Sequence, residues 1–400
     1  MGDIDNTPMQ TKAGDPGAFA EFDLGRVDSP AFVVDAAKLR ANCQILSEIR
    51  DAADIKILSA LKAFSMPATA PILGDYLDGV CASGLWEAQL ASEYYDGEIT
   101  TYSAAYKPGE LEEICRLSDH VIFNSPEAIA RAALILDQAR ITGGDVDVGL
   151  RLNPMLPLGE VEKYDPAAPF SRLGFPVDQL DENSLDGVDG IHFHTLCEQT
   201  FAPLKQTWEH VFDFIEPWFG QLKWINMGGG HHITRSDYER EELIDFLAEV
   251  KEDTGAEIIL EPGEAVALDA GILVGTLLDT GFNGMPIGIT DVSATCHMPD
   301  VLEAPYRPAM LHERLGEDDV PIRLGGPSCL AGDVIGDYSL PVAAKPGARF
   351  AFLDQAHYSM VKTSTFNGVQ LPSIWLWDSE TDELKCVKRF DYDDFRDRLG

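Results

Sequence analysis

Lys56-Ile57-Leu58-Ser59-Ala60-Leu61-Lys62 (KILSALK) is a short apolar run that ends on a lone lysine. A run of this length bounded by polar residues reads as a buried strand, and the pattern around it says of which kind. Comparable segments recur at Gly79 to Ser83 (GVCAS), Glu98 to Ser103 (EITTYS), His120 to Ser125 (HVIFNS) and Val146 to Asn153 (VDVGLRLN). Gly190 to Thr195 (GIHFHT), Lys223 to Gly228 (KWINMG) and Glu257 to Glu261 (EIILE) complete a set of eight. Between them lie stretches with helical spacing such as LWEAQLASEYY, PGELEEICRLS, SPEAIARAALILDQA and SDYEREELIDFLAEVKEDTG, several opened by Ser or Pro. Eight strands joined by crossover helices close into a (β/α)8 barrel, here predicted over residues 35–265. An open doubly wound sheet is the rival, but no G-x-G-x-x-G follows the first strand.

After Glu264 the texture changes to short strand patterns punctuated by Gly and Pro, such as GILVGTLLDT, IGITDVSA, ARFAFLDQ and QLPSIWLWD. Asp28 to Val34 (DSPAFVV) is the same kind of segment at the other end. The expected architecture is therefore α/β: a barrel with a second, mainly β domain built from residues 18–34 and 266–400. Residues 1–17 are polar and rich in Gly and Pro, and are expected to be a disordered leader. They lack a basic start followed by an apolar stretch, so the reading is cytoplasmic rather than secreted.

A length of 400 residues and a hydrophobic fraction of 45% suit a large barrel plus a smaller domain, and no apolar run is long enough to cross a bilayer. The formal charge of −37 argues against nucleic acid and anionic membrane as partners, since both are held through Lys and Arg. It suits a cationic small molecule, although acidic surfaces also serve solubility. The seven cysteines form no CxxC pair and read as free thiols.

Barrel enzymes build their sites at the C-terminal ends of the strands. There this sequence places Lys62 after the first strand, Arg151 and Asn153 on the fifth, and His192 and His194 on the sixth. Gly228-Gly229-Gly230 follows the seventh strand, and Glu261-Pro262-Gly263 ends the eighth. A lysine at the mouth of an apolar strand can lose its proton through desolvation and act as a nucleophile, although a single lysine is ordinarily a surface residue. Three glycines let backbone N–H groups approach a phosphate, although such a triplet is often only a turn. Glu261 could keep a pyridoxal ring nitrogen protonated, although a strand-end acid is often only a cap. His192 and His194 share a strand face and raise the alternative of an H-x-H metal pair. A metal-dependent barrel hydrolase normally carries that pair on the first strand, so no metal is expected here.

The order and spacing of ALKA, HFH, GGG and EPG resemble the fold-type III pyridoxal-phosphate decarboxylases, which act on ornithine, diaminopimelate and carboxynorspermidine. GGPSCLAGD (residues 325–333) is similar to that family's GP-x-C element, and HYSMVKTSTFNG (357–368) to its Tyr-to-FNG element. CHMPDVLEAPYRP (296–308) and GPSCLAGDVIGDY (326–338) resemble the carboxynorspermidine branch most. The resemblance covers almost everything after residue 28. Two departures stand out: Leu330 follows Cys329 where the ornithine and diaminopimelate enzymes carry an acid, and Glu264 replaces a phosphate-binding basic residue of some relatives.

The resemblance implies Lys62 as the cofactor-bearing lysine, His194 stacked on the pyridine ring, and Glu261 paired with the ring nitrogen. Gly228, Gly229, Gly230 and Tyr358 are implied to hold the phosphate, Gly263 to lie among the cofactor-binding residues, and Arg151 to organise the site. Cys329, from the partner subunit of a homodimer, is implied near the carbon that is reprotonated. Asp300 and Asp333 are the acids proposed by motif for the distal amines of a carboxylated polyamine, with loop capping as their other reading. The implied reaction is decarboxylation of carboxynorspermidine or carboxyspermidine to norspermidine or spermidine. A diaminopimelate- or ornithine-type decarboxylase is the alternative.

Overall fold

The structure is a computed structural model that describes residues 10–12, 14–141, 146–314 and 320–400. The chain divides into two compact units, one formed by Arg40–Val266 and the other by Met1–Leu39 with Ala267–Gly400.

In Arg40–Val266 the eight expected strands are all present: Lys56–Ala60, Gly79–Ala82, Glu98–Tyr102, His120–Phe123, Asp147–Asn153, Gly190–His192, Trp224–Asn226 and Glu257–Leu260. Each pairs in parallel with the next, and Glu257–Leu260 pairs with Lys56–Ala60 to close the ring. The strands stop up to three residues short of the expected ends, but the hydrogen bonding does not stop with them. Leu61 N–H still donates to Cys81 O at 3.0 Å, Phe193 N–H to Asn226 O at 3.0 Å and Glu261 N–H to Gly228 O at 2.7 Å. These bonds fix the residues at the C-terminal rim even though the strand geometry has ended.

At the opposite rim, acids that precede three strands accept the N–H of the second residue of a neighbouring strand. Asp78 takes Ile57 N–H at 2.9 Å, Asp119 takes Ile99 N–H at 2.8 Å, and Asp189 takes Val148 N–H at 2.8 Å. Each carboxylate satisfies a donor that the parallel ladder leaves over. Inside the barrel, the buried Trp224 packs with Leu58, Ile122 and Ile259 and stacks on His120 at 4.8 Å between ring centroids. Gly149 and Gly190 make the space: a Cβ there would lie 2.4 and 2.1 Å from the indole.

The helices follow their patterns. Pro126–Ile141 opens with proline at its first position and Ser125 Oγ accepting Ala128 N–H at 3.2 Å. Arg240–Thr254 ends at Gly255, which adopts φ +68°. Leu85–Tyr94, Leu111–Leu117 and Phe201–Ile215 supply further crossovers, while residues 154–189 hold two short 3-10 helices, Glu162–Tyr164 and Val177–Gln179, and the two-residue strand Phe175–Pro176.

The second unit is mainly β. Its main sheet contains Ala31–Asp35, which pairs antiparallel with Gly271–Phe282 and parallel with Ser373–Asp378, so both ends of the chain share one sheet. Pro286–Thr290, Ile322–Gly325, Val334–Tyr338, Arg349–Leu353 and Glu383–Lys388 complete it. The boundary between units falls at Leu39, inside the helix Ala36–Ala53, because that helix starts directly from Ala31–Asp35 with no linker. Of the expected disordered leader, residues 1–9 and 13 lie outside the described residues. Thr11–Lys12 instead pairs in parallel with Arg307–Pro308, and Asp15 N–H donates to Asp269 Oδ1 at 2.9 Å. No described helix is long and apolar enough to cross a membrane.

Candidate active site

Lys62 follows the first barrel strand, one residue beyond the backbone bond that ties Leu61 to Cys81. Its Nζ lies 3.1 Å from His194 Nε2. The side chain is open to solvent, yet its amine stands below the rim among Cys81, Arg151, Glu261 and Glu87. Burial lowers the lysine pKa and Arg151 adds to the effect, against the opposite pull of Cys81, Glu261 and Glu87.

His194 reaches Lys62 with one ring nitrogen and the glycine turn with the other: Gly229 N–H donates to Nδ1 at 2.9 Å. The turn tolerates no side chains. A Cβ would meet Phe193 O at 2.5 Å from Gly228, Glu261 O at 2.0 Å from Gly229, and Leu196 O at 1.9 Å from Gly230. Gly228 and Gly230 also adopt φ +68° and +88°, which glycine reaches without strain. Two of the three amides expected to face a phosphate are already engaged, Gly228 N–H with Asn226 Oδ1 at 2.9 Å and Gly229 N–H with His194. Among the described residues, the Gly230 N–H is the one left open. Gly263 presses against the lysine segment, with Ala63 Cβ 2.7 Å from where its own Cβ would stand.

Glu261 is buried, and its two oxygens are divided between neighbours. Asn226 Nδ2 donates to Oε1 at 2.7 Å, and His192 Nε2 lies 3.4 Å from Oε2. Burial alone would raise the carboxyl, but His192, Asn226 and Lys62 together hold it well below the usual carboxylate range. An ionised carboxylate at this depth is the kind of partner that a protonated ring nitrogen requires. Arg151 is buried beneath the same rim, with its Nη2 donating to His194 O at 2.9 Å and its guanidinium 4.5 Å over the Tyr102 ring. That stack and carbonyl bond fix the backbone that carries His194.

Cys329, Asp300, Asp333 and Tyr358 all belong to the second unit. Cys329 is exposed, and its N–H donates to Asn367 Oδ1 at 2.8 Å, joining the GP-x-C and FNG elements. Asp333 is buried and accepts Ser293 Oγ at 2.8 Å, Ser328 Oγ at 2.6 Å and Thr295 N–H at 3.1 Å. Those donors commit it to the turn around Cys329. Asp300 faces Lys362 at 2.5 Å, with Glu303 sharing the same ammonium at 3.2 Å. Tyr358 opens the short helix Tyr358–Val361.

The structure splits the H-x-H pair, turning His192 to Glu261 and His194 to Lys62. Among the described residues of the barrel unit, the group that could hold a metal is Glu198, His232 and Glu264, which excludes both. Sequence reasoning missed Asn226, Tyr102 and Cys81. Asn226 lies two residues before the glycine triplet on the seventh strand, so its alternation with Gly228 was the available signal. Tyr102 and Cys81 carried none beyond their strand-end positions.

No family model matches the chain. It is 38% identical over 382 residues to the carboxynorspermidine/carboxyspermidine decarboxylase of Campylobacter jejuni subsp. jejuni serotype O:6, covering 92% of this chain and 98% of that one. It is 36% identical over 380 residues to the carboxyaminopropylagmatine decarboxylase of Synechocystis sp., covering 94% and 97%. The crystal structure of carboxynorspermidine decarboxylase from Campylobacter jejuni complexed with norspermidine matches at TM-score 0.85 and 37% identity, over 93% of this chain and all of that one (100%). Diaminopimelate decarboxylase from Helicobacter pylori shares the fold, with TM-score 0.77 at 18% identity over 94% and 97%. With likeness of that degree along nearly the whole length, the chain belongs to the carboxynorspermidine/carboxyspermidine decarboxylase family of the fold-type III decarboxylases.

Proposed function

We propose that this chain decarboxylates a carboxylated polyamine, carboxynorspermidine or carboxyspermidine, with pyridoxal phosphate held on Lys62, in the cytoplasm. The observation that carries the reading is the convergence of Lys62, His194 and Glu261 beside a turn that only glycine can form. When bound, pyridoxal phosphate supplies a ring that accepts the electron pair left as the Cα–carboxylate bond breaks.

The protein's part is to bind and orient. Glu261 holds a proton at the ring nitrogen, Lys62 provides the covalent tether, and His194 offers a flat face beside it. Gly230 N–H is the open donor for phosphate, and Tyr358 is proposed as a second. Cys329 of the second subunit is proposed to return a proton to the substrate carbon. Asp300 is proposed as a contact for a distal amine of that chain, whereas the four donors on Asp333 favour its loop-organising role.

Decarboxylation should be assayed across carboxynorspermidine, carboxyspermidine, carboxyaminopropylagmatine, diaminopimelate, ornithine and lysine. Turnover of the first two above the rest is expected. Preference for diaminopimelate or ornithine would replace this reading with the amino-acid alternative, and preference for carboxyaminopropylagmatine would move the substrate to a guanidino chain.

A further inference from the structure

His194 stands between a group that can only donate and a group that can do either. The Gly229 N–H points at Nδ1, so Nδ1 carries no proton and a neutral ring must carry its proton on Nε2. Nε2 faces Lys62 Nζ at 3.1 Å. An ammonium has no lone pair and would oppose one donor with another, whereas a free amine has the lone pair that this N–H needs. Only glycine fits where this amide donates, since a Cβ on Gly229 would meet Glu261 O at 2.0 Å.

We propose that His194 is a positioning residue for the cofactor-bearing amine: its ring, oriented by the Gly229 N–H, donates from Nε2 to Lys62 and holds it as the free base. This rests on Lys62 being the amine that takes the cofactor, and goes beyond the ring-stacking role that the family resemblance implies for His194.

The surroundings agree with the geometry. Lys62 is faced by Cys81, Arg151, Glu261 and Glu87, and His194 by Lys62, Arg151, His192 and His231. Burial is the largest influence on both and lowers both, with the cation Arg151 acting in the same direction. Cofactor uptake needs that lone pair. The amine nitrogen bonds the aldehyde carbon, and the aldehyde oxygen leaves as water with the two amine protons. A lysine already deprotonated skips a step that an ordinary lysine must complete first, and each unit by which its pKa falls raises the free-base fraction about tenfold at neutral pH.

The test uses the full chain, stripped of cofactor and recombined with pyridoxal phosphate while absorbance is followed across pH. His194→Phe keeps a flat ring without the donor, so the midpoint of the uptake profile should rise by about one unit and uptake at neutral pH should slow about tenfold. A loss of packing alone would lower the plateau and leave the midpoint where it was. An unchanged midpoint therefore overturns the proposal. Nitrogen-15 spectra of histidine-labelled wild-type protein provide a test that does not depend on the folding of that variant. The resonance that moves in Lys62→Met should show a bare Nδ1 and a protonated Nε2, and the opposite tautomer would overturn the proposal. Borohydride fixation and peptide mapping separate the two readings. Cofactor fixed on another lysine defeats the assignment of Lys62, whereas cofactor on Lys62 with an unchanged midpoint defeats only the role of His194.

Discussion

Asn226 ties Glu261 to the glycine turn, donating from Nδ2 to Oε1 at 2.7 Å while its own Oδ1 accepts Gly228 N–H at 2.9 Å. One amide thus helps keep the acid ionised, after His192, and positions the turn. A hydrogen bond to a charged group contributes about 1.5–3 kcal/mol, so Asn226→Ala should raise the Glu261 pKa by about 1–2 units. The acidic limb of the kcat–pH profile should move up accordingly, and a limb that stays in place would detach Asn226 from the acid.

Glu261→Gln removes the charge while keeping the shape. Folding, followed by circular dichroism melting, should be nearly unchanged, and turnover should fall by orders of magnitude because the ring nitrogen loses its anionic partner. Wild-type turnover in this variant would remove Glu261 from the mechanism.

His297 gives the second unit a pH dependence of known sign. Its Nδ1 accepts Ser293 N–H at 3.1 Å and its Nε2 donates to Gln370 O at 2.9 Å, an arrangement that only the neutral ring satisfies. Burial pushes its pKa down to about 4, against the opposing pull of the Gln370 carbonyl and Asp333. Between the unfolded value of about 6.5 and that folded value, the unfolded chain takes up a proton that the native chain refuses. Stability should therefore fall on acidification through this window, by up to about 1.4 kcal/mol per pH unit, and level off below it. Asp269, pushed up to about 6 by burial and Asp354, contributes with the opposite sign over part of the range. The quantity to measure is thus the urea-denaturation difference between wild type and His297→Gln, which should shrink as pH falls from neutral. A difference that does not vary with pH would contradict this account.

Gly190→Ala tests the packing inside the barrel. Its new Cβ would lie 2.1 Å from the Trp224 ring, which is stacked on His120 and cannot step aside freely. Overpacking of this kind costs about 1–3 kcal/mol and should lower the thermal midpoint. A melting temperature equal to wild type would show that the indole has room to move.

The shared-site proposal predicts complementation. Mixing inactive Lys62→Ala with inactive Cys329→Ala chains should restore about a quarter of wild-type activity. About half of freely exchanged dimers are then mixed, each with one intact site. No recovery, despite demonstrated exchange, would place both residues in the site of one subunit.

The barrel was legible because its strands are apolar runs with punctuated ends, and Lys62, His194, the glycines and Glu261 stood at those ends in order. What stayed hidden was direction. Nothing in GIHFHT says that His192 turns to an acid while His194 turns to a lysine, since alternation gives the face and not the partner. The triplet at Gly228–Gly230 announced close backbone approach, but not that two of its amides would serve Asn226 and His194 instead of an incoming anion. Asp333 stands four residues past Cys329 in its motif, and that position could not reveal the two hydroxyls and two amides that surround it. Thr11–Lys12 looked disordered because a two-residue strand has no periodicity to read.

The indole of Trp224, stacked on His120 and pinched between Gly149 and Gly190, makes the inside of the barrel solid core rather than a passage. The hollow of the ring is taken up by packing, and chemistry is left to the strand ends, where Lys62, His194 and Glu261 stand.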